Sequence, residues 1–179
     1  MGMRAIAIDG GDAKRDLCIK MGAEEFVDFT KEKDVPAKIK EIADGIGAHC
    51  VLVTAYQAYN GKLTISHPHP ADGTQANTAA DSIKYIGDRI GGRIMAIALP
   101  PAGTITLGTD PNFFAFKNLK IIGTLVGTMQ DTAATLDYAK RGLLKSICEV
   151  RGMSQMPESV QQLRRGEVAG RIVIDFNKD

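Results

Sequence analysis

The sequence predicts an α/β fold built on an incomplete doubly wound parallel sheet. Short apolar runs alternate with helical patterns of about ten residues along most of the chain, the rhythm of strand–helix–strand units. The first run, Arg4-Ala5-Ile6-Ala7-Ile8, ends in Asp9-Gly10-Gly11, and a helical pattern follows at once. That is the arrangement by which the second strand of a Rossmann-type sheet presents a carboxylate to an adenosine ribose. The first strand and its glycine fingerprint, which should come before it, are missing, so the sheet is expected to be incomplete.

The elements follow in order. Residues 4–8 alternate as a strand. Residues 12–21 carry Ala13, Leu17, Cys18 and Met21 at helical spacing, and Gly22 closes that helix. Residues 25–29 read as a second strand. Residues 34–43 read as a helix with Val35, Ile39 and Ile42 on one face and Pro36 in its first turn. After a turn at Gly45-Ile46-Gly47-Ala48, residues 50–54 form a continuous apolar run expected to be a buried third strand. A helix is expected over 82–89, a fourth strand over 92–99 and a turn at Pro100-Pro101-Ala102-Gly103. A short strand at 105–107, a stronger one at 119–126, helices at 128–141 and 157–165, and a last strand at 171–176 complete the reading. Residues 1–127 are thus expected to form a partial nucleotide-binding domain. Residues 128–179 would be a segment that returns to another domain.

Residues 61–81 break this rhythm. They are polar, interrupted at Pro68 and Pro70, and lie where a direct step from strand to helix is expected. Gly61-Lys62 can be encoded with a splice-donor sequence, Ala76-Asn77 with a branch-point pattern, and the Ala80-Asp81 junction with an acceptor. Removing 61–80 joins Asn60 to Asp81 in phase. The hypothesis is that this segment is translated intron and that Met1-Gly2-Met3 is an internal start. The rival is a surface loop in which His67-Pro68-His69-Pro70 serves as a recognition segment. Sequencing the transcript is expected to show codons 61–80 spliced out; a mature message that retains them would refute the hypothesis.

Charge excludes one class of partner. Twenty-two Lys and Arg against 21 Asp and Glu leave a formal net charge of +1, without the basic excess that nucleic acid requires. The basic stretch at 31–40 is interleaved with acids, and Arg164-Arg165 is short; both read as solvated helix faces. No apolar run approaches the ~18 residues of a membrane span, and no signal peptide is evident. A cytoplasmic location is expected, or a mitochondrial one if an upstream targeting segment was lost. Cys18, Cys50 and Cys148 are odd in number and widely spaced, which fits neither a disulfide framework nor a metal knuckle.

Ile8-Asp9-Gly10-Gly11, Phe29-Thr30-Lys31-Glu32-Lys33-Asp34 and Gly47-Ala48-His49 resemble the zinc-dependent medium-chain alcohol dehydrogenases of the fungal tetrameric type. So do Leu99-Pro100-Pro101-Ala102-Gly103, Ile122-Gly123-Thr124-Leu125-Val126-Gly127 and Val168-Ala169-Gly170-Arg171. The resemblance covers the chain except about residues 61–81, and implies its C-terminal, cofactor-binding half. It implies NAD as cofactor, a small alcohol or aldehyde as substrate, and assembly of like subunits. Asp9 would accept both adenosine ribose hydroxyls and repel a 2′-phosphate, with Lys14 also on that ribose. Phe29 and Thr54 would flank the adenine. Ile97 and Leu99 would line the nicotinamide pocket, Thr124 and Val126 would meet the carboxamide through the backbone, and Arg171 would bind the pyrophosphate.

Without the resemblance, Ile97, Leu99 and Val126 read as plain core and Arg171 as a surface charge, while Asp9 has the lesser rival reading of a turn residue. The family's zinc ligands belong to a domain not represented in these residues. His49, His67 and His69 lack companions at ligand spacing, so no catalytic or metal residue is assigned. Two other readings remain: a non-catalytic module that associates with full-length subunits through residues 95–126, and a fragment of a zinc-free reductase of the same superfamily.

Overall fold

The computed structural model describes residues 2–55, 81–102 and 111–178. The unusual segment at 61–80, with His67 and His69, and the expected strand at 105–107 lie outside the described residues. The elements are β1 (Ile6–Asp9), α1 (Asp12–Lys20), β2 (Glu25–Asp28), α2 (Val35–Ile42), β3 (Cys50–Val53), α3 (Asp81–Lys84) and β4 (Arg93–Ala96). They continue as α4 (Pro111–Lys117), β5 (Lys120–Gly123), α5 (Met129–Lys140), β6 (Cys148–Gly152), α6 (Met156–Arg164) and β7 (Arg171–Asp175). Among the described residues, those before Val126 form one compact unit and those from Val126 onward a second.

All strand pairing is parallel, but the first unit's sheet is in two pieces: β1 pairs with β2, and β3, β4 and β5 form a separate three-stranded sheet. In a doubly wound sheet the first strand lies between the second and the fourth. Here β1 ends like a second strand and β3 follows as a fourth. The break between them therefore falls at the place of a first strand in such a sheet, and β1 and β3 each keep an unpaired edge among the described residues.

Side chains hold the two pieces together on one face. Val27, Ile39 and Tyr85 are buried together, with Ile6, Ile8, Val35, Ile42 and Val51 packed around them, so β1, β2, α2 and β3 share one apolar cluster. The loop after α2 locks onto the chain after α3: Ala48 N–H donates to the Tyr85 carbonyl at 2.9 Å, and Asp88 N–H to the Ile46 carbonyl at 2.7 Å. Gly47, at φ +125°, passes so close that a Cβ there would overlap the Ile86 carbonyl. A second cluster, Val53, Ile83, Ile86, Ile94 and Leu119, lies on the same face of β3–β5, with Phe114 and Ile121 against it.

Among the described residues no buried cluster lies on the opposite face. Leu52, Met95 and Ile122 are register partners across β3, β4 and β5, and side chains alternate along a strand, so the three form one row. Leu52 is 63% exposed and Ile122 38%. This corrects the expectation that residues 50–54 are a buried strand: Val53 is buried, Cys50 and Leu52 are not. A strand covered on both faces and one covered on a single face give the same apolar run when the covering element is absent.

Other expectations shift at element ends. The helix expected over 82–89 is the single turn Asp81–Lys84, because i→i+3 bonds follow it and Gly87 takes φ +60°. The strands expected over 92–99 and 119–126 stop at Ala96 and Gly123, beyond which only isolated bonds continue, such as Thr124 N–H to the Ala96 carbonyl. Strand β1 starts at Ile6, while Arg4 before it reaches Glu24, Asp44 and the Ile42 carbonyl. Two elements were not expected at all: α4, and β6, which pairs in register with β7.

In the second unit, α5 is fixed at its start by a reciprocal cap between Thr128 and Asp131. It has no buried residue, and Leu136 and Tyr138 are exposed. The Arg151 guanidinium joins β6 to α6 through Ser159 and Gln162 at 3.0 and 2.8 Å. Among the described residues, no helix is long and apolar enough to cross a membrane.

Candidate functional site

The carboxyl ends of parallel strands are where open α/β sheets bind ligands, and the polar clustering is densest at the ends of β1 and β2. Strand β1 stops at Asp9 because Gly10 and Gly11 leave the extended conformation; Gly11, at φ +95°, caps α1. Gly10 sits close to the end of β2: a Cβ there would stand 3.0 Å from Thr30 Cγ2 and 3.2 Å from Phe29 Cζ, and these side chains would have to give by a few tenths of an ångström. The turn and the end of β2 are thus pressed together.

Asp9 occupies the lip of this turn. Its Oδ1 accepts the Gly10 N–H at 2.7 Å and the Lys14 ammonium at 2.8 Å. The Asp9 side chain is 43% exposed and that of Lys14 19%. Among the described residues the other carboxylate oxygen carries no hydrogen bond, so it is open to a diol approaching from solvent. Phe29 N–H donates to the Asp9 carbonyl at 3.3 Å, which places the Phe29 ring beside Gly10. Asp9, Lys14 and Phe29, read from three separate stretches, therefore meet in one place.

Asp28, the register partner of Asp9, was not singled out from the sequence. Its side chain is mostly buried. Oδ1 accepts the Thr30 hydroxyl at 2.6 Å and the Thr30 N–H at 2.9 Å, and Oδ2 accepts the Gly11 N–H at 3.3 Å. Lys31 Nζ bridges Asp12 at 3.0 Å and Asp28 at 3.4 Å. The Thr30 hydroxyl above all, then the two backbone donors and Lys31, outweigh burial and bring the Asp28 pKa down to about 2. A lowered carboxylate pKa stabilises the fold fully above the ordinary 3.8, and the contribution fades as pH falls through about 2. Following the Asp28 carboxyl carbon by NMR during an acid titration is expected to give that low midpoint, and Thr30→Val to raise it. An Asp28 that titrates with the exposed aspartates would contradict the bonding.

The remaining sequence-assigned residues fall in two places. Thr54, Ile97 and Thr124 directly follow the register triple Val53, Ala96 and Gly123, or lie one residue beyond it, at the carboxyl ends of β3, β4 and β5. Ile97 N–H and Ala98 N–H both donate to the Val53 carbonyl, at 3.2 and 2.9 Å, holding the start of that loop. Leu99 is 73% exposed, so it is no core residue here. Val126, at φ +51° and fully exposed, and Arg171, the first residue of β7, belong to the second unit. Among the described residues no three His, Cys, Asp or Glu side chains converge as metal ligands. His49 instead lies 2.7 Å from an Arg89 nitrogen. The residues described do not fit a zinc ion.

The fold and this site define a class: a parallel, doubly wound α/β unit of the kind that binds dinucleotide cofactors. Comparison with known proteins takes this further. The family model for zinc-binding dehydrogenases matches residues 1–68. Alcohol dehydrogenase 1 of Emericella nidulans is 33% identical over 98% of this chain and 44% of its own length. The alcohol dehydrogenase of Schizosaccharomyces pombe is 34% identical over 99% of this chain and again 44% of its own. A solved NAD-dependent alcohol dehydrogenase superposes with a TM-score of 0.71 at 22% identity, covering 97% of this chain and 44% of that one. Over nearly its whole length the chain is similar to part of these alcohol dehydrogenases, and over residues 1–68 to the zinc-binding dehydrogenase family. It spans less than half the length of these relatives.

Proposed function

We propose that the chain is the cofactor-holding part of an NAD-dependent alcohol dehydrogenase, and that on its own it binds the adenosine end of NAD without catalysing the reaction. The observation that carries this reading is the Asp9 carboxylate: one oxygen is tied to Gly10 and Lys14, the other is open at the carboxyl end of β1. The names of the relatives support the same activity, alcohol to aldehyde or ketone. A bound nicotinamide cofactor would supply the hydride acceptor. The chain's own residues would bind and orient. Asp9 would accept the ribose hydroxyls and disfavour a 2′-phosphate, Lys14 would hold that carboxylate and reach the ribose, and Phe29 would bound the adenine. Thr54 would flank the adenine with Phe29, and Ile97, Leu99 and Thr124 would lie at the nicotinamide end. A zinc-free reductase fragment of the same superfamily would use the same residues. A cytoplasmic location is part of the proposal.

Titrating the full chain with NAD, NADP and 5′-AMP under NMR observation tests it. Shifts centred on Gly10, Gly11 and Lys14 are expected with NAD and AMP at sub-millimolar to millimolar concentration, and weaker ones with NADP. Asp9→Ala should weaken NAD at least tenfold, the loss of a charge-assisted hydrogen bond pair. No response in that turn at several millimolar NAD would sink the reading. A second reading, association with like subunits, is favoured by the outer strand β5, where Ile122 is 38% exposed, and by Leu125 just beyond it, 75% exposed. Co-purification with an intact subunit would support it; a chain that never associates would not.

A further inference from the structure

We infer that Asp28 is a positioning residue that determines the cofactor preference of the Asp9 turn, holding Gly11 in place and setting a second fixed negative charge beside the ribose site. The inference rests on the proposed adenosine-binding role and names a residue in which no ligand contact is needed.

Three observations converge on Asp28. It is the direct cross-strand partner of Asp9, so the two carboxylates leave neighbouring parallel strands at the same level. It is the only described side chain that bonds the Gly11 N–H, the backbone position from which α1 starts. It also closes the Thr30 turn with two short bonds, and Thr30 and Phe29 are the residues that press on Gly10. One side chain thus fixes both walls of the turn that presents Asp9. If it were neutral or absent, the Gly11 N–H would lose its partner and the end of β2 could drift from Gly10.

The charge acts separately from the bonds. A ligand reaching the open Asp9 oxygen meets Asp9, Asp12 and Asp28 on one side, and Lys14, Lys31 and Arg15 as the cations paired with them. Lys31 is 63% exposed and well screened by water, whereas Asp28 is 12% exposed and held rigidly. Its persistent ionisation follows from the same bonds that lower its pKa. A ribose diol can donate into this field. A 2′-phosphate brings its own negative charge into it, and the Lys14 and Lys31 ammonium groups are already paired with carboxylates.

The two contributions separate by mutation. Asp28→Asn removes the charge, and its amide N–H₂ cannot accept the Gly11 N–H if its oxygen stays on Thr30. Asp28→Glu keeps the charge but is too long for the same bonds. The experiment measures binding of 5′-AMP and of adenosine 2′,5′-bisphosphate to the full chain by NMR, together with exchange of the Gly11 amide. The wild-type chain is expected to prefer AMP and to protect Gly11. Asp28→Asn should weaken AMP several-fold, shrink the preference over the bisphosphate by about tenfold and speed Gly11 exchange. Asp28→Glu should weaken AMP and speed Gly11 exchange while keeping the preference. The distant control Glu41→Gln should change none of these.

A purely structural Asp28 would lower affinity for both nucleotides equally, and an unchanged ratio in Asp28→Asn overturns the inference. If that variant does not fold, Asp28→Glu decides: wild-type AMP affinity and Gly11 exchange in it would overturn the positioning role. A wild-type chain whose turn ignores 5′-AMP altogether overturns the proposed function itself, and this inference with it, an outcome visible before any variant is made.

Discussion

The 179-residue chain, purified alone, is expected to bind a hydrophobic dye strongly and to lose its structure over a broad temperature range rather than in one step. The same chain joined behind the part of the Emericella nidulans relative that it does not match is expected to melt cooperatively and to bind NAD at least tenfold more tightly. The reason is the two-piece sheet. Among the described residues, unpaired edges on β1 and β3 leave backbone donors and acceptors without strand partners, and such edges invite association with other chains. Parallel sheets are covered on both faces in known folds, yet the Leu52, Met95 and Ile122 row has one face open. Completing the burial of Leu52 alone would contribute about 1–2 kcal/mol. Inserting one parallel strand and its helix would cover the row, pair both edges and supply the phosphate-binding helix start. Circular dichroism melts and dye fluorescence on the two proteins check this; a sharp melt and no dye binding by the chain alone would show that it does not need the missing strand.

Gly47→Ala is expected to cost about 3 kcal/mol or more, measured by urea unfolding of the strand-completed protein, where a two-state midpoint is defined. The backbone at φ +125° disfavours any side chain, and the added methyl would overlap the Ile86 carbonyl. Neither side can yield cheaply. The Ile46 and Ile86 segments pass backbone to backbone, and their bonds, with Ala48 to Tyr85, join the β1–β2 pair to the three-stranded sheet. Gly22→Ala has the same kind of positive φ and no neighbour within 4 Å, so it should cost only the conformational part, about 1 kcal/mol. Equal effects from the two substitutions would mean the close approach carries no load.

Much of the first unit was legible because its punctuation is chemical. Asp9-Gly10-Gly11 marks the end of β1, Pro36 and Asp34 mark the start of α2, and the Asp34 side chain does cap it through the Ala37 N–H. Thr128 and Asp131 likewise announce α5. Strand β6 escaped because Cys148-Glu149-Val150-Arg151 carries one apolar residue between charges, and it becomes a strand only through β7. Helix α4 escaped because its Phe114 is held by tertiary packing against the Val53, Ile83, Ile86, Ile94 and Leu119 cluster, which local sequence does not display. Asp28 escaped for a different reason. An aspartate ending a short strand before Phe29-Thr30 looks like any turn residue, and its importance comes from a register with Asp9 that sequence separation hides. A search for acids ending successive parallel strands would have found it.

The open row on β3–β5 has a meaning for the life of the polypeptide as well as for its fold. Chaperones and proteases sort chains by apolar surface that should have been covered. A polypeptide that displays Leu52 and Ile122 in water carries such a mark wherever its covering strand and helix are absent. Its abundance in a cell would then follow the supply of that cover rather than its own rate of synthesis.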